Sequence, residues 1–473
     1  MLALQFVRSV PRWLLVRSLG GGIRGLATGP FSCVKLREID PPPLPAPDWV
    51  RLRPHLCGIC GSDLSAIACK GSPYFSPFVS TPFVPGHELV GTITEKGAAV
   101  PAAWAAGQRV VIEPVLGCEV RGLTPPCGPC ASGDYAHCTR ILEGSIAGGI
   151  QTGYCRSTGG GWSTSLVAHH SQLQAVPEGL SDEEAVLAEP FACALHAALK
   201  CPLDDKATLL VLGCGTIGLM CIAGYRAVGG RGRLWASARF GVQAELARRF
   251  GADEVFDRGT DSRALYEWVL QRTGGVLRRP ELGKPVLLGG VPVVLDCVGS
   301  EQTIDDALRL AAPRGTVLLV GMPGIPGGVD WTSIWYKELN VQGVYAYGWE
   351  ATGIRGQGTG DRGLRIGDGG LRIGDCGLRI GPMAEMESER PVAPASPPAV
   401  APASPPASSA EAQPRRVKTL ALALKLLDAQ RAQGSPLKAL VNRKYPLREY
   451  RRALDDAFHS GASGAFKVVF HLR

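Results

Sequence analysis

The sequence predicts an α/β protein in two parts. One is a six-stranded, doubly wound parallel sheet. The other is a β-rich, barrel-like unit that carries the reactive side chains. Three observations predict this. The stretch ATLLVLGCGTIGLMCIAGYRAVG at 207–229 reads as strand, turn and helix, with Gly213, Gly215 and Gly218 spaced G-x-G-x-x-G. Strand–helix alternation continues from there to about residue 345. Ahead of it, residues 31–187 hold short apolar runs broken by Gly and Pro, the pattern of a β unit. At 473 residues and 45% hydrophobic, the chain is long enough for two sizeable cores.

Taken in order, residues 1–30 have the composition of an address. Arg8, Arg12, Arg17 and Arg24 recur among Leu, Val, Trp and Ser, and no acid precedes Glu38. This basic, acid-poor pattern suits a mitochondrial transit peptide; the alternative is a first strand beginning near Leu2. Alternating apolar positions around Val50 and Leu52 then predict a strand running into CGICGSD at Cys57–Asp63. PGHE follows at Pro85–Glu88. Cys60, His87 and Glu88 offer sulfur, nitrogen and oxygen donors within one short segment, a set that borderline-soft zinc accepts. Three protein ligands leave a fourth position open, as catalysis requires. Asp63 is placed to orient the imidazole from behind.

More strand-like sequence fills Leu89–Ile112, and a second cysteine cluster comes next. Cys127 and Cys130 form C-x2-C, Cys138 follows after seven residues, and Cys118 stands nine positions before Cys127. Four thiolates on one loop suit a closed, tetrahedral structural zinc site. Three ligands with some other fourth group, or inert thiols, are the alternatives.

In the second part, strands are expected at Thr208–Leu212, Arg233–Ala238, Glu254–Phe256, Val293–Cys297, Thr316–Val320 and Val341–Tyr345, with helices at Val242–Phe250 and Gln302–Ala311. Gly213, Gly215, Thr216, Ile217 and Gly218 form the turn that would cradle a dinucleotide pyrophosphate at a helix N-terminus. About 20 residues on, where NAD sites carry Asp or Glu, stand Ser237 and Ala238, followed by Arg239. A guanidinium in place of a carboxylate favours NADP over NAD, with use of both as the alternative.

Other classes are excluded or disfavoured. The net charge of +8 is spread, with no Lys/Arg cluster interleaved with aromatics, so nucleic acid is not an expected partner. No apolar run is long enough to span a membrane. The 15 cysteines cluster with His and Glu, which argues for metal ligands rather than a disulfide framework. Two segments stand outside the pattern: GLRIGD repeats within Gly353–Gly381 and a Pro/Ala/Ser tract at Pro391–Pro414. Together they read as a disordered insert. The catalytic unit resumes at Val417 with a helix at Lys418–Asp428 and a last strand at Phe466–Leu472.

With these residues assembled, the chain resembles the zinc-containing medium-chain dehydrogenase/reductase family, the group of alcohol, polyol and threonine dehydrogenases. The resemblance is carried by GICGSD at Gly58–Asp63, GHE at Gly86–Glu88, the Cys127/Cys130/Cys138 lobe, AEPFACALHA at Ala188–Ala197 and the dinucleotide turn. It implies a GroES-like catalytic domain at 31–187 and 416–473, a Rossmann domain at 188–350 and an insert at 351–415. It places Cys60, His87 and Glu88 at a catalytic zinc, with Glu189 where some members have a cysteine ligand, and makes Ser62 the first proton acceptor. Members often carry His two residues after the Asp of GSD; here it is Ser65. The implied reaction is hydride transfer between an alcohol and NAD(P)+, the substrate a small alcohol or carbonyl compound, the assembly a homodimer or homotetramer. The rivals are a zinc-free quinone-type reductase and a catalytically silent dinucleotide-binding protein of the same fold.

Overall fold

The computed structural model describes residues 1–19, 25–322, 324–351, 365–367, 370–372, 416–432, 434 and 436–472. The chain divides into a body, 1–350 with 417–473, and a second unit, 351–416. Of the repeats, only Arg365–Gly367 and Gly370–Arg372 are described, as an antiparallel strand pair. The Pro/Ala/Ser tract lies outside the described residues.

The first half of the body contains β1 (Leu2–Phe6), α1 (Val10–Leu19), β2 (Val34–Glu38), β3 (Trp49–Gly58), α2 (Gly61–Ile67), β4 (Leu89–Lys96), β5 (Arg109–Ile112), β6 (Leu166–His169) and β7 (Leu173–Ala175). The long strand β3 is its axis. It pairs antiparallel with β4 along one edge and with β6 at its start. Val50 and Leu52 are fully buried while Arg53 is exposed, the alternation that their spacing predicts.

The first 30 residues depart from the expectation of a segment lying outside the fold. β1 pairs antiparallel with β2 from Leu2↔Glu38 to Phe6↔Val34. Ala3 and Leu4 are fully buried in the same core as Val50 and Cys57. The physical reason is the short apolar run LALQF, which reads as a strand once a partner closes on it. Arg8, Arg12 and Arg17 sit in the connection between β1 and β2, which includes α1; Arg24 lies outside the described residues.

The second half follows α3 (Ala188–Ala198) with β8 (Thr208–Leu212), α4 (Thr216–Ala227), β9 (Arg233–Ser237), α5 (Gly241–Arg249), β10 (Glu254–Phe256), α6 (Ser262–Thr273), β11 (Val291–Asp296), α7 (Glu301–Leu310), β12 (Ala311–Leu319) and β13 (Asn340–Gly343). The six strands form one sheet in the order β10-β9-β8-β11-β12-β13, and every pairing is parallel. This is the doubly wound order, with its switch point between β8 and β11. The β8–α4 turn lies at that switch point. Gly213 has φ +91°, and a Cβ on Gly218 would lie 1.9 Å from the Gly213 carbonyl oxygen. Glycine is therefore demanded at both positions, and the backbone is left bare where a pyrophosphate would approach.

The chain returns through α8 (Thr419–Ala432), β14 (Val441–Pro446), α9 (Tyr450–Phe458) and β15 (Lys467–His471). The Thr419 amide donates to the Gly348 carbonyl at 3.0 Å, so the points of exit and re-entry are adjacent. A long insertion at such a joint costs the body little. β15 completes the catalytic sheet between β14 and β3. The Thr216 hydroxyl donates to the Phe466 carbonyl at 2.9 Å, tying the start of α4 to that sheet.

Candidate metal centre and dinucleotide cleft

β3 ends at Gly58 and α2 begins at Gly61, so Cys60 sits in the turn between them. The Asp63 carboxylate accepts from the Cys60 amide at 3.0 Å and fixes this turn as a helix cap. His87 and Glu88 arrive from the residues just before β4. One donor atom from each of Cys60, His87 and Glu88 lies within 4.8 Å of the others. His87 and Glu88 are buried; Cys60 is half-buried, so the group opens on one side. His87 Nδ1 faces Asp63 Oδ1 at 3.6 Å and, among the described residues, has no closer hydrogen-bond partner. A buried ring nitrogen backed by a carboxylate, beside a thiol and a second carboxylate, is the chemistry that zinc takes. The residues present therefore fit the ion.

Charge in this pocket is concentrated. Burial works against a charged His87 ring, but Asp63 and Cys60 outweigh it and raise the ring's proton affinity well above that of a free histidine. Glu189, on α3, lies outside the tight group of three donors. Its carboxyl is pushed up to about 7 by burial, against the pull of His87 and with a further push from Glu88. The Cys193 thiol donates to Glu189 Oε1 at 3.7 Å from one turn further along α3. Glu88 is ion-paired with Lys467 of β15. Tyr154 stands beside Ser62, and its hydroxyl donates to Asp63 Oδ1 at 3.4 Å. Burial and then Asp63 hold that phenol protonated.

Cys118, Cys127, Cys130 and Cys138 also converge, with all four sulfurs within 4.8 Å of one another. Two of the separations are 3.7 Å (Cys118–Cys138) and 3.9 Å (Cys127–Cys138). Four sulfurs at a Zn–S distance of about 2.3 Å have edges of about 3.8 Å, so a tetrahedral ion fits this spacing. Backbone amides of Cys118, Cys127 and Arg140 point at the sulfurs, as expected around thiolates. All four cysteines are free thiols.

The lobe also presses on a buried acid that the sequence did not single out. Tyr135 donates to Glu113 Oε2 at 2.9 Å, while Oε1 has no hydrogen-bond partner among the described residues. Burial raises the Glu113 carboxyl to about 8, despite the Tyr135 bond. The sign follows directly. Below its ordinary value of 4.5 the group is neutral whether folded or unfolded. Between there and about 8 only the unfolded chain ionises, so stability falls as pH rises through this window. At about 1.4 kcal/mol per pH unit the loss is roughly 3–5 kcal/mol. Glu113→Gln is expected to flatten that decline in melts between pH 5 and 8; an unchanged pH slope would contradict it.

β9 ends at Ser237, Ala238 is buried and Arg239 is exposed. The Arg239 guanidinium lies 5.2 Å from the Phe240 ring centroid, and among the described residues no carboxylate is ion-paired with it. Gly215, Thr216 and Ile217 lead into α4.

Three other histidines are occupied away from the metal group. His55 is held by Asp182 and Thr92, His169 by Asp48 and Ser171, and His196 by Glu350. Cys57 is fully buried against β4. Two neighbours of the metal group escaped the sequence reading as participants: Cys193 and Lys467. Cys193 had a signal, since it lies four residues after Glu189 on one helix face. Lys467 had none, being about 380 residues from Glu88.

A doubly wound dinucleotide sheet, joined to a β unit with a sulfur–imidazole–carboxylate group, defines a metal-dependent nicotinamide oxidoreductase. The comparisons make the class specific. Residues 46–178 match the alcohol dehydrogenase GroES-like domain and residues 216–353 the zinc-binding dehydrogenase domain, together more than half of the chain. L-idonate 5-dehydrogenase of Vitis vinifera is 29% identical over 317 residues, 66% of this chain and 78% of that protein. Sorbitol dehydrogenase of Bacillus subtilis is 27% identical over 321 residues, 66% of this chain and 80% of that protein. The crystal structure of 2R,3R-butanediol dehydrogenase from Bacillus subtilis superposes with a TM-score of 0.60 at 21% identity, covering 93% of this chain and 96% of that one. The chain belongs to the zinc-containing medium-chain dehydrogenase/reductase family. It is an oxidoreductase acting on CH–OH donors, with Zn2+ and NAD(P) as cofactors.

Proposed function

We propose that this chain oxidises a secondary alcohol or a polyol at the Cys60–His87–Glu88 group, with NADP+ preferred as hydride acceptor. The observation that carries it is the convergence of those three donors within 4.8 Å. The polyol reading is supported by relatives named for idonate and sorbitol. When bound there, zinc supplies a Lewis acid that lowers the pKa of an alcohol oxygen. The chain's own residues do the rest. Asp63 holds both the Cys60 turn and the His87 ring. Ser62 takes the hydroxyl proton, and Tyr154 and Asp63 beside it orient the serine. Ser65, in place of histidine, passes the proton outward through water. The glycine turn at Gly213–Gly218 would hold the pyrophosphate of the dinucleotide, which supplies the hydride acceptor. Reduction of NADP+ with a panel of secondary alcohols and polyols tests this. Turnover lost on chelation supports it, and equal turnover with and without chelator contradicts it.

The preference for NADP rests on Arg239. An Arg–phosphate hydrogen bond contributes about 1.5–3 kcal/mol. Arg239→Asp is therefore expected to raise KM for NADP+ roughly 10- to 100-fold and to lower that for NAD+. Equal KM ratios in variant and wild type would contradict the assignment.

We infer self-association through β13, an edge strand flanked by exposed Trp331, Trp335 and Tyr336. A monomeric mass at micromolar concentration would contradict this. Mitochondrial delivery remains a proposal supported by the basic composition of residues 1–30. Because β1 is part of the core, delivery would have to leave it in place. Organelle fractionation with sequencing of the mature N-terminus tests both statements together: a cytosolic protein or one cut beyond Phe6 contradicts them.

A further inference from the structure

Lys467 opens strand β15, which lies between β14 and β3 in the catalytic sheet; its side chain is almost wholly buried, and its ammonium meets Glu88 Oε2. It also donates to the Ile59 carbonyl at 3.3 Å. The slot for this pair is built into the sheet. A Cβ at Gly58 would lie 2.1 Å from Glu88 Oε2 and 2.8 Å from Lys467 Cε, so only glycine leaves room. Trp162 Nε1 donates to the Gly58 carbonyl at 3.1 Å and pins that backbone. Glu88 is thus a candidate metal donor with one of its two oxygens already committed to a buried cation. The same cation also lies within electrostatic reach of Cys60 and Glu189.

We propose that Lys467 is a positioning residue that withholds one oxygen of Glu88 from the metal, so that Glu88 cannot chelate with both and a coordination position stays open for the substrate oxygen. The proposal rests on the metal reading of Cys60, His87 and Glu88 and goes beyond it by assigning a role to a strand residue far away in the chain. Without the ammonium, Glu88 would be free to turn both oxygens to the ion. The ion would be held more tightly and would accept substrate less readily.

The test uses the full-length protein with Co(II) in place of zinc in the catalytic group. In Lys467→Met the visible Co(II) absorption is expected to weaken as coordination expands beyond four, chelator-driven metal release to slow about 10-fold, and kcat to fall while KM for NADP+ stays constant. Lys467→Arg is expected to restore all three. Because Lys467→Met alone leaves a buried carboxylate uncompensated and could fail to fold, Glu88→Gln is compared with Glu88→Gln/Lys467→Met. If Lys467 acts through Glu88, these two share one Co(II) spectrum and one release rate. Differing spectra or rates between them, or unchanged release in a folded Lys467→Met protein, would overturn the proposal. A wild-type protein that takes up no Co(II) at this group would remove the metal reading itself, and the proposal with it.

Discussion

Cys60→Ala is expected to lower kcat/KM by at least about 1,000-fold while leaving NADPH affinity within about twofold of wild type. The magnitude comes from the part the ion plays: polarising an alcohol oxygen contributes several kcal/mol of transition-state stabilisation, and each 1.36 kcal/mol is about tenfold in rate. The selectivity comes from the architecture. Cys60 sits in the β3–α2 turn of the catalytic sheet, whereas the pyrophosphate turn at Gly213–Gly218 belongs to the parallel sheet. Removing one sulfur should therefore remove the chemistry without removing the cofactor. Steady-state kinetics with fluorescence titration of NADPH checks both halves. A variant retaining a tenth of wild-type activity would show that the three donors do not hold the catalytic ion.

The second large effect is on stability. Cys130→Ser should lower the thermal midpoint by roughly 10 °C, from a loss of about 4 kcal/mol or more, and should leave a freshly prepared sample partly active. In a structural site the ion's binding free energy is folding free energy. The lobe holding Cys130 also anchors its surroundings. The Gly133 carbonyl accepts from the Trp349 amide at 3.1 Å, and Tyr135 donates to buried Glu113. Loss of the ion would loosen the lobe and both attachments. Thermal shift with and without chelator measures it. A chelator-insensitive midpoint, unchanged by the substitution, would mean that the four sulfurs are inert thiols.

The two halves were unequally legible in the sequence. The parallel sheet was readable almost strand by strand, because its central strands are buried on both faces and stand out as apolar runs between helices and glycines. Thr208–Leu212 and Glu254–Phe256 have the expected ends, and the helix expected at Val242–Phe250 spans Gly241–Arg249. The donors of the metal group were legible because Cys60, His87 and Glu88 lie close together in the chain. Glu189 needed the family resemblance, and the structure sets it just outside the donors' tight group. What stayed hidden depends on contacts between distant residues. Lys467 meets Glu88 only because β15 pairs with β3. Glu113 is unusual only because the lobe buries it. The N-terminal strand was masked by composition: four arginines in the connection to β2 weighed more in the reading than five residues of LALQF. A segment can have the composition of an address and still supply a core strand, because burial is decided by the partner strand.

If the two separate donor groups each hold zinc, elemental analysis of purified protein should find about two zinc ions per wild-type chain and about one in Cys60→Ala, with the remaining ion lost in a Cys60→Ala/Cys130→Ser double variant. Wild-type protein without zinc, or a Cys60→Ala variant that keeps both ions, would contradict it.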